Sequence, residues 1–233
     1  MSKDEPVILS LGGSLIVPNG GINTEFLKRF NEFIRKQITA GKRFFIVCGG
    51  GRTSRHYADA ADTVLGKQIP PVELDWLSIH ATRLNAHLLR TIFKDIANSR
   101  LVTHYDREYK LGPQPVVIGA GWKPGWSTDY DAVLLAQRYK SKVLINLSNI
   151  ETVYDKDPHK HSNARPIKKI NWNEYRQIVG NKWSPNLSAP FDPIASRLAQ
   201  EIGLTVIIVK GDNFSNLEKV FNGGKFHGTV ISP

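Results

Sequence analysis

The chain has 233 residues, of which 41% are hydrophobic and 22% are charged, and these proportions exclude a fibrous or largely disordered protein. Its formal net charge of +10 would suit nucleic-acid binding, but the 31 lysine and arginine residues are spread along the chain without a block of five. A positive field that gathers small polyphosphate anions, or a basic background without function, explains the charge better, so we expect no nucleic-acid or membrane partner.

Strand-like and helix-like segments alternate along the chain, which predicts an α/β protein with a mainly parallel sheet covered by helices on both faces. The apolar run at residues 7–17 predicts the first strand, because it is too short to span a membrane and two glycines interrupt it. A helix follows over residues 24–40, with Thr24 as its N-cap, and then a strand over residues 44–48. That strand ends at Cys48, the only cysteine, which predicts a buried thiol in a reducing compartment, by default the cytoplasm.

The later elements continue the same alternation. They are a short helix over 55–61, a long helix over 73–97, a strand over 116–118, a helix over 129–140, a strand over 142–147, a hairpin or loop over 150–170, a helix over 192–202, and strands over 204–209 and 227–232. We expect residues 150–170 to cover a ligand, residues 181–190 to form a mobile loop, and the last strand to lie at a sheet edge. No repeat or linker divides the chain, so we expect one domain over residues 1–233.

Three predicted strands end in glycine-rich turns: Gly12 and Gly13, then residues 49–51, then residues 119–125. The carboxyl ends of parallel strands share one edge of a sheet, so these turns should meet in a single crevice. The third turn passes through the hydroxyls of Ser127 and Thr128 into a helix, an arrangement that holds phosphate through hydroxyl and backbone N–H groups. The sequence therefore predicts an anion site at this edge.

The sequence motifs of other common nucleotide-binding, hydrolytic and zinc-binding sites are absent. The chain has no P-loop, no dinucleotide-binding glycine pattern, no nucleophile elbow and no zinc motif. His159 and His161 lie in a polar loop and are interpreted as solvated histidines. We expect no metal ion held directly by side chains.

Two acids stand at helix starts beside the predicted crevice. N-capping explains Asp192, which precedes Pro193, but explains Asp129 less well because Ser127 or Thr128 would already cap that helix. A further carboxylate at an anion site is costly unless it organises cations, donors or a metal. Phosphoryl transfer between two phosphates needs such charge arrangement and no general base. Four basic residues are candidates to neutralise the anions: Arg52, Arg55, Lys123 and Arg197.

Seven motifs distributed over the chain together resemble those of one protein family. They are LGGSL (11–15), CGGGRTSRHY (48–57), ELDWLSIHATRLNAHLL (73–89), PGWSTDYDAVLLA (124–136), NLSNIETVYDKDP (146–158), FDPIASRLA (191–199) and HGTVISP (227–233). Together they resemble the amino acid kinase superfamily and, within it, the archaeal-type uridylate (UMP) kinases. The resemblance implies a three-layer αβα sandwich around a mainly parallel sheet of about eight strands. It also implies transfer of the γ-phosphoryl group of ATP to UMP with Mg²⁺, and a hexamer built from dimers.

The resemblance further implies roles for individual residues. The catalytic residues would be Asp129, Arg197 and Asp192. The ATP-binding residues would be Gly13, Ser14, Gly51, Arg55, Ser148, Asn149, Tyr154 and Asp157. The UMP-binding residues would be Gly50, Asp75, Trp122, Lys123, Pro124, Gly125, Trp126, Ser127 and Thr128. The acceptor side would lie mainly in the N-terminal half of the domain and the ATP side mainly in the C-terminal half.

The chain departs from the superfamily pattern at three places. Ser10 stands where many members have a lysine, Arg197 replaces a lysine in the late helix, and Glu151 with Thr152 replaces an Asp-Gly pair. The loss of the first lysine keeps a second hypothesis open, a nucleotide-binding storage or regulatory protein with little or no turnover. A third hypothesis is a kinase of the same superfamily with another small acceptor, against which Asp75 and its helix argue.

Overall fold

The computed structural model describes residues 5–66, 68–107, 109, 112–158, 160–182 and 189–233. The strands are β1 (Val7–Leu11), β2 (Phe44–Cys48), β3 (Val116–Gly119), β4 (Val143–Ser148), β5 (Val153–Tyr154), β6 (Pro166–Ile167), β7 (Lys169–Asn171), β8 (Thr205–Lys210) and β9 (Thr229–Ser232). The helices are α1 (Gly13–Ile16), α2 (Thr24–Thr39), α3 (Gly51–Leu65), α4 (Pro71–Ile92), α5 (Thr128–Arg138), α6 (Trp172–Val179), α7 (Pro193–Glu201) and α8 (Phe214–Phe221).

Seven of these strands form one sheet in the order β3-β2-β1-β4-β8-β9-β7. Every neighbouring pair is parallel except β8 and β9. The predicted mainly parallel α/β architecture is confirmed. Strand β1 lies at the centre, and its register places Leu11 beside Cys48 of β2 and beside Leu147 of β4, so these strands end at one edge.

Alternate residues of the strands build a core on each face of the sheet. Val7, Leu9 and Leu11 of β1 belong to the cluster that includes α2 and α8, whereas Ile8 belongs to the cluster that includes α5, α6 and α7. Both clusters consist of fully buried apolar side chains, which explains why the central strands read as near-continuous apolar runs. Cys48 is buried as predicted.

The structure corrects several predicted boundaries in the first half of the chain. The strand predicted over residues 7–17 stops at Leu11, because the backbone turns at Gly12 into the short helix α1. Helix α2 is capped by Asn23, whose side chain accepts from the N–H of Phe26 at 3.0 Å, and Thr24 is its first residue. The short helix predicted over 55–61 is the 15-residue α3, and the long helix ends at Ile92.

Further differences concern the second half. The last strand, β9, does not lie at the edge, because β7 pairs beyond it through Ile170 and Ile231. Helices α6 and α8 were not predicted. The hairpin predicted within residues 150–170 is present as β5 and β6. His159 and most of the predicted mobile loop, residues 183–188, lie outside the described residues. No helix in the described part of the chain is long and apolar enough to cross a membrane.

Candidate active site

A cavity of about 250 Å³ opens at the carboxyl edge of the sheet. Residues from all three glycine-rich turns line it, so the predicted convergence of these turns is confirmed. The lining residues are Gly13, Ser14, Gly50, Gly51, Ser54, Arg55, Asp75, Ser78, Ile79, Thr82, Gly121, Trp126, Ser127, Thr128, Asp129, Ala189 and Asp192. Helices α3, α5 and α7 begin at this cavity, so the positive ends of three helix dipoles face the same space. Such a space favours an anionic ligand.

The turns after β1 and β2 are interlocked. The N–H of Gly49 donates to the carbonyl of Leu11 at 2.9 Å, and that of Arg52 donates to Val17 at 2.9 Å. A Cβ atom on Gly13 would lie 2.1 Å from the backbone nitrogen of Gly51, and Gly51 itself has a φ of +63°. Only glycine permits this approach at Gly13, and it brings the N–H groups of both turns to one wall of the cavity.

Helix α4 connects the glycine turns to one another through four polar side chains on a single face. The Asp75 carboxylate accepts from the N–H of Gly125 at 2.8 Å, and the Thr82 hydroxyl accepts from that of Gly121 at 2.8 Å. The Asn85 amide donates to the carbonyls of residues 49 and 50 at 2.8 and 3.1 Å. The Ser78 hydroxyl accepts from that of Ser54 in α3 at 2.7 Å. Of these four, the sequence analysis assigned only Asp75, although their spacing along one helical face was a readable signal.

Asp129 lies half-buried in the cavity wall and accepts hydrogen bonds on both carboxylate oxygens. Its Oδ1 accepts from the Ser10 hydroxyl at 2.7 Å and from the Asn146 amide at 3.2 Å. Its Oδ2 accepts from the backbone N–H of Asp192 at 3.3 Å. Burial raises the pKa of Asp129, and the bonds from Ser10 and Asp192 lower it in part.

The two helix starts behave as capping rules predict. Ser127 caps α5 by accepting from the N–H of Tyr130 at 3.1 Å, so Asp129 is free of that task. Asp192 caps α7 by accepting from the N–H of Ala195 at 2.7 Å. Burial first, and the nearby charge of Asp129 as well, raise the pKa of Asp192 to about 7.

An aromatic group covers the loop over residues 122–128. The rings of Trp122 and Trp126 meet edge to face at 4.8 Å, and Trp126 meets Tyr130 at 4.7 Å. The Lys123 amine lies 4.4 Å from the centroid of the first tryptophan ring and 4.0 Å from that of the second. Below them the buried carboxylate of Asp131 accepts from the N–H of Trp122 at 3.3 Å. The loop is therefore a packed, ordered structure on the cavity rim.

The structure brings together some of the predicted site residues and not others. Those that line the cavity are Gly13, Ser14, Gly50, Gly51, Arg55, Asp75, Trp126, Ser127, Thr128, Asp129 and Asp192. Those that do not line it are Arg197, Ser148, Asn149, Tyr154, Asp157, Trp122, Lys123, Pro124 and Gly125. The Arg197 side chain is 61% exposed and reaches Glu201 at 3.9 Å.

A second cavity of about 240 Å³ lies beside the ends of β4 and β8. It is lined by Glu151, Lys210, Asn213, Ser215, Asn216, Lys219 and His227. The N–H of Gly211 donates to the carbonyl of Ser148 at 2.8 Å, which ties the entrance to α8 to the end of β4. Of the residues predicted to bind ATP, Ser148 at the end of β4 therefore lies close to this second cavity, although none of them lines it.

Comparisons with known proteins agree with this geometry. A family model described as the amino acid kinase family matches residues 5–106 and 114–210. A uridylate kinase from Methanococcus maripaludis is 31% identical over 229 residues, which cover 97% of this chain and 99% of that protein. A uridylate kinase from Pyrococcus abyssi is 30% identical with the same coverage of both chains. The crystal structure of a uridylate kinase from Archaeoglobus fulgidus superimposes with a TM-score of 0.79 at 28% identity, covering 97% of this chain and all of that one.

Proposed function

The chain belongs to the amino acid kinase family, and from that premise we propose that it transfers the γ-phosphoryl group of ATP to UMP, producing UDP and ADP. The main support for this proposal is the cavity, in which three glycine turns and the N-termini of α3, α5 and α7 face one space. Relatives that match nearly end to end are named uridylate kinases. They do not favour the alternative of a nucleotide-binding protein without turnover.

Within this proposal the two substrates approach from opposite sides of the cavity. Gly13, Ser14, Gly51 and Arg55 bind the ATP phosphates, and adenosine extends toward the end of β4 and the hairpin, near four residues: Ser148, Asn149, Tyr154 and Asp157. UMP occupies the acceptor side, formed by Gly50, Asp75 and residues 126–128 of the cavity wall, together with residues 122–125 of the same loop, which lie outside the lining. Both phosphate groups then lie beside Asp129, where donor and acceptor oxygens are in line.

Phosphoryl transfer of this kind depends on positioning and on charge compensation. The acceptor is a phosphate oxygen that is already anionic, so no side chain needs to remove a proton. Asp129 organises the transfer centre, Asp192 supports it through its backbone N–H, and Arg197 is the remaining proposed catalytic residue. Arg197 would need to turn away from Glu201 to reach a phosphate.

We propose that ATP enters as its Mg²⁺ complex. The phosphates of ATP would hold the ion, because among the described residues no group of three or more acidic, histidine or cysteine side chains is arranged to bind a metal. The described lining residues contribute three carboxyl groups, those of Asp75, Asp129 and Asp192, and one guanidinium, that of Arg55. The triphosphate of ATP and the phosphate of UMP would add to this negative charge. The ion supplies charge neutralisation of the transferred group when bound, while the protein orients the phosphates and excludes water.

We also propose that the protein is a single domain over residues 1–233, acts in the cytoplasm and assembles as a homo-oligomer, a hexamer built from dimers. Helices α3 and α4, which pack against each other, support self-association because they expose large apolar side chains. We call these residues the α3–α4 face: Tyr57, Val64, Leu65, Val72, Trp76 and Leu84. Residues 56–89 carry four acids and two bases in a chain of net charge +10. Two copies can therefore meet there without strong repulsion.

The proposal is tested by mixing purified protein with ATP, Mg²⁺ and UMP and measuring UDP. We expect Asp129→Asn to lower kcat by about 10²-fold or more and to change the KM for UMP by less than about threefold. The matched control is Asp95→Asn, which changes a surface carboxylate that pairs with Arg35, and this variant should keep full activity. No UDP from the wild-type protein at saturating substrates would refute the proposed function, and full turnover by Asp129→Asn would refute the role of that residue.

A further inference from the structure

Two polar residues sit side by side in the middle of the apolar sheet. Ser10 is the polar member of β1 (VILSL), and Asn146 interrupts the apolar run of β4. They are 3% and 5% exposed, and the register of β1 and β4 makes them direct neighbours. Burying such groups in a parallel sheet costs free energy unless each has a partner, and strands buried in such sheets are usually apolar throughout.

Both side chains point to the same carboxylate oxygen. The Ser10 hydroxyl donates to Oδ1 of Asp129 at 2.7 Å, and the Asn146 amide donates to that oxygen at 3.2 Å. With the N–H of Asp192 on Oδ2 at 3.3 Å, Asp129 is held from β1, β4 and the start of α7. All three donors are neutral.

We propose that Ser10 and Asn146 are positioning residues for phosphoryl transfer, which hold the Asp129 carboxylate in its working orientation without cancelling its charge. The inference rests on the proposed function, because it assigns to these residues an effect on that reaction. A lysine at position 10 would pair with Asp129 and neutralise it. A hydroxyl and an amide fix the same oxygen and leave the negative charge available to the reaction centre.

The surroundings of Asp129 explain why its orientation needs such support. The charged or titratable groups that face it are Asp192 of α7, Tyr175 of α6 and, among the residues that share the cavity, Asp75 and Arg55. Asp192 repels it, and the Tyr175 hydroxyl is committed to the carbonyl of Phe191 at 2.9 Å. Without the donors from the sheet, Asp129 would be free to rotate away from Asp192 and out of line with the phosphates.

The test compares Ser10→Thr with Ser10→Val, two side chains of the same shape that differ by one hydroxyl. We expect Ser10→Val to have a kcat about 10- to 100-fold below that of Ser10→Thr, with KM values for ATP and UMP within about threefold. The acid limb of the kcat profile should move to higher pH in the valine variant, because the lost hydrogen bond had lowered the pKa of Asp129. Asn146→Leu should act in the same direction.

Two controls separate this role from a general effect on folding. Ser141→Ala removes a buried hydroxyl that donates to the carbonyl of Val143 at 3.0 Å, at the opposite end of β4, and should leave kcat unchanged. In an Asp129→Asn background, exchanging threonine for valine at position 10 should change kcat by less than about twofold, because the residue acts through that carboxylate.

The possible outcomes are distinct. An active wild-type protein whose two position-10 variants have equal kcat and equal pH profiles would overturn the inference and leave the proposed function intact. An equal loss in the Asp129→Asn background would also overturn it, because the effect would not pass through Asp129. Absence of UDP from the wild-type protein would instead refute the proposed function itself.

Discussion

The Asp192 side chain stabilises a helix start, but its ionised form is destabilised by burial. As the N-cap of α7 it accepts from the N–H of Ala195, a task that a neutral asparagine performs equally well. As a buried acid next to Asp129 it is costly to ionise, and its pKa is raised to about 7. The acid at this position therefore costs free energy that a capping amide would not cost, which is consistent with a role beyond capping.

Asp192→Asn should make the protein more stable at pH 8 than the wild type. The raised pKa means that the folded protein keeps a proton that the unfolded chain loses near pH 4, so wild-type stability falls as pH rises from about 4 to about 7. The variant keeps the cap and lacks this fall. We expect the free energy of unfolding at pH 8 to rise by an amount on the order of 1 kcal/mol, which corresponds to roughly 2–4 °C in Tm. Thermal unfolding measures this change.

The control for this prediction is Asp95→Asn. The Arg35 guanidinium holds the pKa of Asp95 down at about 2, so its contribution changes only below about pH 4. That variant should keep the wild-type slope of Tm between pH 5 and pH 8. Parallel slopes for the wild type and Asp192→Asn over this range would show that Asp192 is not the group responsible.

At the scale of elements, the site depends on how closely the β1–α1 and β2–α3 turns approach each other. A Cβ on Gly13 would overlap the backbone of Gly51, and one on Gly49 would lie 2.6 Å from the nitrogen of Gly13. These neighbours are backbone atoms, which cannot move aside as a flexible side chain can. The turns and the helix starts behind them therefore form one rigid wall.

Gly13→Ala should separate these two turns. We expect a loss of at least about 1–3 kcal/mol in the free energy of unfolding, as for other overpacked sites, and loss of ATP binding. Gly20→Ala is the matched control, because a Cβ there meets nothing within 4 Å and its stability should stay within about 0.5 kcal/mol of wild type. Chemical unfolding and calorimetric titration with ATP measure both effects. Wild-type ATP affinity in Gly13→Ala would contradict the role given to the interlocked turns.

At the scale of the whole molecule, charge is distributed unevenly. The chain has a net charge of +10, yet the described residues that line the cavity carry three carboxyl groups and one guanidinium. The general positive field attracts nucleotides, while the local negative charge favours those that arrive with a bound cation. The basic composition that first suggested nucleic acid is thus consistent with small anionic substrates.

The α3–α4 face, if it is the proposed interface between copies, connects assembly to the site through α4. Positions 72, 76, 80 and 84 of α4 form a row at four-residue spacing. Val72, Trp76 and Leu84 are its exposed apolar members, and His80 occupies the remaining position. The inward side of the same helix carries Asp75, whose bond to Gly125 holds the acceptor loop. A partner packed on the row would hold α4 in place and with it that loop.

Replacing Trp76 and Leu84 by glutamate should therefore break the oligomer. We expect the double variant to move to a smaller species in sedimentation analysis, because two buried charges per copy would be left without partners. The KM for UMP should rise as the acceptor loop loosens. The control is Ile22→Glu, because Ile22 is also an exposed apolar residue, at 55%, but lies outside this face. This variant should keep the wild-type mass. An unchanged mass for the double variant would exclude this face as the interface.

Periodicity and turn chemistry in the sequence were enough for the α/β class, for most of the elements and for the meeting of the glycine turns at one sheet edge. Parallel strands determine that edge without any knowledge of packing. Helix α8 was missed because it has only eight residues, although Asn213 at its start is a typical N-cap. Strand β7 was missed because three residues carry no readable alternation.

The sequence by itself thus determined where the glycine turns lie and that they meet at one edge of the sheet, since such turns involve near neighbours and parallel strands share that edge. Only the tertiary structure decided what holds Asp129. Ser10 lies 119 residues away from it along the chain, and nothing local to either residue encodes their hydrogen bond. The strand register that pairs Ser10 with Asn146, and the packing of α5 over β1, are products of long-range burial, which a reading of local patterns does not contain.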